Sequence, residues 1–194
     1  MKKTVKYTIF KTKWGYFGLA ATDNALLRTC LPLSNPEKVK RRILTSFLGQ
    51  ESRIENRLSS VALAKEEVSS IKIKFDKYLF KSAQKQITAY FEGACVDFRS
   101  LPIVLNALSV FTRRVLTACR DIGFGQTVSY GRLAELAGKP RAARAVGNAL
   151  AKNPLTLIIP CHRVLCSDGS LGGFSAPGGI NLKKKLLKLE ADFI

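Results

Sequence analysis

The chain has 194 residues, 46% of them hydrophobic, and its 32 lysines and arginines against 14 acidic residues give a net charge of +18. That length holds one medium domain or two small ones, each with its own core. No run approaches 18 apolar residues and the basic Met1-Lys2-Lys3 start lacks the apolar stretch of a signal peptide, which argues against a membrane span or export and for a cytoplasmic protein.

Basic residues outnumber acidic ones 19 to 9 over residues 1–100 and 13 to 5 over 101–194. The charge therefore belongs to the folded body, and nucleic acid is the usual partner of such a body. A lysine-rich proteome or adaptation to heat is the competing explanation. The five cysteines, at 30, 95, 119, 161 and 166, are odd in number and form no Cys-x-x-Cys. With one histidine in the chain, they suggest neither a disulfide framework nor a metal site.

Residues 4–31 read as three strands, Val5–Phe10, Tyr16–Ala21 and Leu26–Leu31, with turns at Lys13-Trp14-Gly15 and Asp23-Asn24. Pro36 opens a basic amphipathic helix running to about Leu48, and residues 49–70 read as irregular connection with some helix. A second helix, Lys81–Phe91, stops at Gly93. This half, residues 1–100, is an α/β domain without a catalytic constellation. Residues 101–107 read as a linker into a mostly helical domain, 101–194. There the pattern predicts helices Phe111–Ile122, Gly131–Ala137 and Arg141–Lys152, with Pro140 in the first turn of the last. Two short helices about a glycine-containing turn resemble a helix-turn-helix. In the second of them Ala142, Ala143, Ala145, Gly147, Ala149 and Ala151 leave Arg144 as the long side chain near the centre. Such a helix suits close approach to a narrow groove with one inserted side chain. Tight packing inside the domain is the alternative.

An apolar run, Leu155–Ile159, then leads to Pro160-Cys161-His162-Arg163-Val164, where the only histidine follows a cysteine. Two readings stand for this pair: a nucleophile with its base, or a small buried hydrophobe beside a structural histidine. Neighbours in sequence point apart on a strand or helix. If His162 activates Cys161 it works through a water or from a tight turn, with a third group orienting the ring. Among the five carboxylates of this half, Glu190 is the one on the inner edge of the last helix, which starts near Asn181.

Pro160–Val164, preceded by Asn153-Pro154, resembles the active-site signature of the O6-alkylguanine-DNA alkyltransferases (methylated-DNA–protein-cysteine methyltransferases). The resemblance extends through Gly125-Gln126-Thr127-Val128-Ser129-Tyr130, Ala142-Ala143-Arg144-Ala145-Val146-Gly147, the Gly172–Gly179 loop and Leu186-Leu187-x-x-Glu190. It covers most of residues 105–194. The resemblance implies a ribonuclease-H-like first domain and a winged-helix-like second domain. It implies single-turnover transfer of an alkyl group from O6-alkylguanine, with O4-alkylthymine a further substrate, to Cys161, with no cofactor. Catalysis would fall to Cys161, to His162 and Glu190 in series with a water, to Tyr130 donating toward N3, and to Asn153 holding the turn. Ala143, Arg144, Ala145 and Gly147 would meet the minor groove of double-stranded DNA, with Arg144 filling the space of the flipped base. Gly172, Phe174, the Ser175 N–H and the carbonyls of Cys161 and Val164 would form the base pocket. The protein would act as a monomer, in the cytoplasm at the nucleoid or in a nucleus. Two rivals stay open: a lesion-binding relative, which would lack the cysteine, and a transcription regulator.

Overall fold

The structure is a computed structural model and describes residues 4–55 and 72–193. Strands β1 (Thr4–Thr12), β2 (Gly15–Ala21) and β3 (Leu26–Leu33) form an antiparallel meander, and β4 (Lys72–Phe75) adds to β1 in parallel. The sheet order is β3-β2-β1-β4. β2 is covered on both faces. Phe17, Leu19 and Ala21 enter the main core, while Ala20 turns the other way toward Val39 and Ile43 of α1 (Pro36–Glu55). At Gly18 a Cβ would lie 2.5 Å from Ile43 Cδ1 and 2.6 Å from Val39 Cγ1, so only glycine lets α1 seat this closely.

Helix α2 (Lys81–Glu92) buries Ala83, Ile87, Tyr90 and Phe91 and ends at Gly93, whose N–H bonds back to the last turn. The expected linker is strapped to the sheet edge: Leu26 N–H donates to the Pro102 carbonyl (2.8 Å) and Val104 N–H to that of Leu26 (3.0 Å). Helices α3 (Val110–Arg120) and α4 (Tyr130–Leu136) are each capped by a serine. Ser109 accepts from Thr112 N–H and Ser129 from Arg132 N–H, each contact worth about 1 kcal/mol. Helix α5 (Ala143–Leu150) packs on both, and α6 (Gly179–Ala191) closes the chain. A short parallel pair, β5 (Val128–Ser129) with β6 (Val164–Leu165), ties the start of α4 to the residues after Cys161. The main core runs continuously from Phe17 through Tyr90 and Val115 to Leu186, and so includes residues of both halves.

Several expected boundaries shift. α1 continues through residues 49–55, which the weak pattern had left irregular, and the remainder of that expected connection, 56–70, lies outside the described residues. β4 was not expected: Lys-Ile-Lys-Phe is mostly exposed at a sheet edge, so it carries little hydrophobic signal. Pro140 is not in the first turn of α5. Arg141 takes a left-handed φ of 66°, and the helix begins two residues later. The apolar run 155–159 folds into turns, with Leu157 at φ 83°.

Candidate active site

Cys161 opens a single 3-10 turn, Cys161–Arg163, immediately before β6. Its N–H donates to the Ile159 carbonyl (2.8 Å), and Arg163 N–H donates to that of Pro160 (2.9 Å). Asn153 fixes the approach to this turn. Its Oδ1 accepts from Leu155 N–H (3.0 Å), and its Nδ2 donates both to the Ile159 carbonyl (2.9 Å) and to Cys161 Sγ (3.3 Å). One amide thus shapes the loop and touches the sulfur.

A cavity of about 750 Å³ opens over Cys161 and is lined also by Tyr130, Ala143, Arg144, Gly147, Gly172 and the 173–175 segment. This lies in the usual range of about 300–1,000 Å³ for ligand pockets. Gly172 is required here twice over. Its φ of 61° disfavours a side chain, and a Cβ would come within 2.9 Å of the Tyr130 hydroxyl. Phe174 and Ser175 line the same cavity as Ala143, Arg144 and Gly147 of α5. Ala145 is exposed and not among the lining residues, and neither is the buried Val164. The Val164 carbonyl accepts from Lys183 Nζ at 2.6 Å, so a base amine would have to share that oxygen.

Behind the cavity lies a buried polar cluster. Glu190 Oε1 pairs with His162 Nε2 at 2.8 Å. The same carboxylate accepts from Arg163 Nε and Nη2 (both 2.9 Å), from the Tyr90 hydroxyl (2.6 Å) and from Gly125 N–H (3.1 Å). Burial pushes its pKa up, but the bonds and charges of His162 and Arg163 outweigh this and hold it at about 2. An ionised carboxylate at Nε2 keeps the proton on that nitrogen, leaving Nδ1 as an acceptor. Among the described residues Nδ1, fully buried, has no partner. Burial lowers the His162 pKa against the pull of Glu190, which favours the neutral ring. Burial also raises the Cys161 thiol, while the Asn153 amide and the nearby Lys183 charge counter it.

Of the residues expected from the sequence, Glu190 pairs with His162, Asn153 touches Cys161, and Tyr130, Arg144, Gly147 and Phe174 line the cavity with Cys161. Three further residues were not expected. Arg163 was visible within the motif. Lys183 is a fully buried lysine on the last helix, none of whose lysines stood out in the sequence. Tyr90 comes from the half that showed no catalytic constellation and reaches Glu190 across 100 residues, a contact no local pattern could announce.

A family profile described as the DNA binding domain of 6-O-methylguanine DNA methyltransferase matches residues 110–192. A methylated-DNA–protein-cysteine methyltransferase of Metallosphaera sedula is 44% identical over 119 residues, 61% of this chain and 72% of that protein. One from Methanosarcina barkeri is 43% identical over 115 residues, 59% of this chain and 70% of that protein. The crystal structure of Mycobacterium tuberculosis OGT in complex with DNA superposes with a TM-score of 0.69 at 30% identity, covering 96% of this chain and 93% of that one. With Cys161 lining an open cavity and the next residue, His162, in a buried pair with Glu190, the chain belongs to the methylated-DNA–protein-cysteine methyltransferase family.

Proposed function

We infer that the protein repairs DNA by moving an alkyl group from O6-alkylguanine in a duplex onto Cys161. The observation that carries this is the Cys161 sulfur lining a roomy cavity, with Asn153 at 3.3 Å and a histidine–carboxylate pair behind it, in a chain of this family. The thiol proton passes through a water to His162 Nδ1, and the imidazolium so formed is held by Glu190. The thiolate attacks the alkyl carbon in line. The carbon–O6 bond breaks with its electron pair entering the guanine, where the Tyr130 hydroxyl toward N3 and the Ser175 N–H at O6 meet the developing charge. The thioether product has no good leaving group, so each molecule acts once. No cofactor enters this scheme.

In the same reading, α4 and α5 act as a helix-turn-helix in a winged-helix-like domain, 101–194, and residues 1–100 form a ribonuclease-H-like domain. Ala143, Ala145 and Gly147 face the minor groove, and Arg144 occupies the space of the extruded nucleotide. A monomer working at the genome, on O4-alkylthymine as well as O6-alkylguanine, completes it. Incubation with duplex containing O6-methylguanine should add one methyl mass to the tryptic peptide bearing Cys161 and plateau at one per protein. Cys161→Ser should abolish the gain and leave DNA affinity largely intact. Turnover beyond one equivalent, or methylation mapped to Cys166, would sink the scheme.

A further inference from the structure

A cationic groove leads away from the alkyl-acceptor cavity along the N-terminal half. Ala151 and Ser175 line both that cavity and a smaller adjoining one, which Arg28 and Arg42 also border. Arg28 and Arg42 in turn line a further groove of about 490 Å³ together with Lys38, Arg41 and Thr45. The stripe has a helical origin. In α1, residues 38, 41, 42 and 45 fall on one face, while Val39 and Ile43 are buried against the sheet. Arg28 joins them from β3, the edge strand. None of Arg28, Lys38, Arg41 and Arg42 pairs with a carboxylate among the described residues. The one acid in the first turn of α1, Glu37, is taken by Lys40. Four cations converge on a groove with no carboxylate partner among the described residues, and α1 gains nothing in stability from such spacing, since like charges at i,i+4 repel. Arg28 is partly desolvated as well, which pulls its pKa down.

We propose that this groove, formed by Arg28, Lys38, Arg41 and Arg42, binds the phosphates of the DNA strand that continues beyond the lesion, so that the N-terminal half forms part of the DNA-binding surface. The proposal rests on the repair reading above, because continuity with the alkyl-acceptor cavity selects DNA over any other polyanion. The test measures the affinity of full-length protein for duplex containing O6-methylguanine across a range of salt concentrations. Each lost phosphate contact removes about 0.9 from the slope of log affinity against log salt. Arg41→Gln/Arg42→Gln should therefore flatten the slope by about 2, and Arg28→Gln added to it by about 3. Transfer from free O6-benzylguanine should be unchanged in both. The double variant lies wholly on the solvent face of α1, so it keeps the test valid if the Arg28 change disturbs the sheet. Lys184→Gln/Lys188→Gln, on the exposed face of α6, serves as a control for net charge and should leave the slope alone. Equal slopes for the wild type and the double variant would overturn the proposal, as would an equal fall in the control. Failure of the wild type to methylate Cys161 would overturn the repair reading instead, whatever the slopes.

Discussion

At the residue scale, Glu190 decides most of the site's behaviour. A fully buried carboxylate is tolerated because Tyr90, Gly125, His162 and Arg163 all donate to it. Glu190→Gln keeps the shape but removes the charge that holds Arg163 and the imidazolium. Alkyl transfer should slow on duplex and free base alike, and stability should fall by about 3 kcal/mol or more, read from urea midpoints. Tyr90→Phe removes one donor to a charged acceptor and should cost about 1.5–3 kcal/mol. It should also lower the transfer rate several-fold without changing DNA affinity. An unchanged rate with lowered stability would make Tyr90 a structural support only. The pair Cys161–His162 was legible because the one histidine adjoins a cysteine, and Glu190 because helical spacing placed it on an inner edge. Tyr90 and Lys183 were not. A buried tyrosine looks like any core aromatic, and one lysine among four in Asn181–Lys188 shows no sign that it turns inward.

At the element scale, helix α5 has the bare surface that its alanines and glycine foretold, with Arg144 exposed at the cavity rim. If Arg144 supports an extruded base, Arg144→Ala should lower transfer from duplex by about 10- to 100-fold, since each ~1.4 kcal/mol is a factor of ten. Transfer from free O6-benzylguanine should hold steady, and saturating protein should not rescue the duplex rate. Rescue at saturation would make Arg144 a phosphate contact; a parallel loss on the free base would point to misfolding. The spacing of apolar residues located α2, α3, α4 and α6 to within a few residues. It placed the start of α5 two residues early because proline suits a helical first turn, and nothing in an arginine signals the left-handed φ that Arg141 adopts. β4 escaped because a parallel edge strand pairs with β1 from far along the chain and buries little of its own surface.

At the scale of the whole molecule, the buried acid and the buried base bias stability against pH in the same direction. Glu190 is ionised in the fold down to about pH 2, whereas an exposed glutamate takes up its proton near 4.5. The unfolded chain therefore binds more protons between those values, and stability is lost as pH falls through that window. His162, its pKa lowered by burial, acts in the same sense below 6.5. Urea midpoints should thus decline from about pH 6.5 downward, and Glu190→Gln should flatten the segment below 4.5. A midpoint that rises on acidification would contradict this ionisation scheme. Transfer from the free base should speed up as pH rises, because the buried thiol ionises late.

Thr29 donates from its side chain to the Thr156 carbonyl (2.7 Å) and from its backbone to that of Pro154 (2.9 Å), so the edge of the sheet grips the loop that leads to Cys161. Together with the bond from Tyr90, this makes the molecule poorly modular. Residues 101–194 expressed alone would keep Cys161 and α5 yet lose the contacts that hold the Cys161 loop and Glu190. Such a fragment should bind DNA and fail to alkylate itself, and adding residues 1–100 in trans should restore the reaction. A half that carries every recognisable motif would then be inert without the half that carries none.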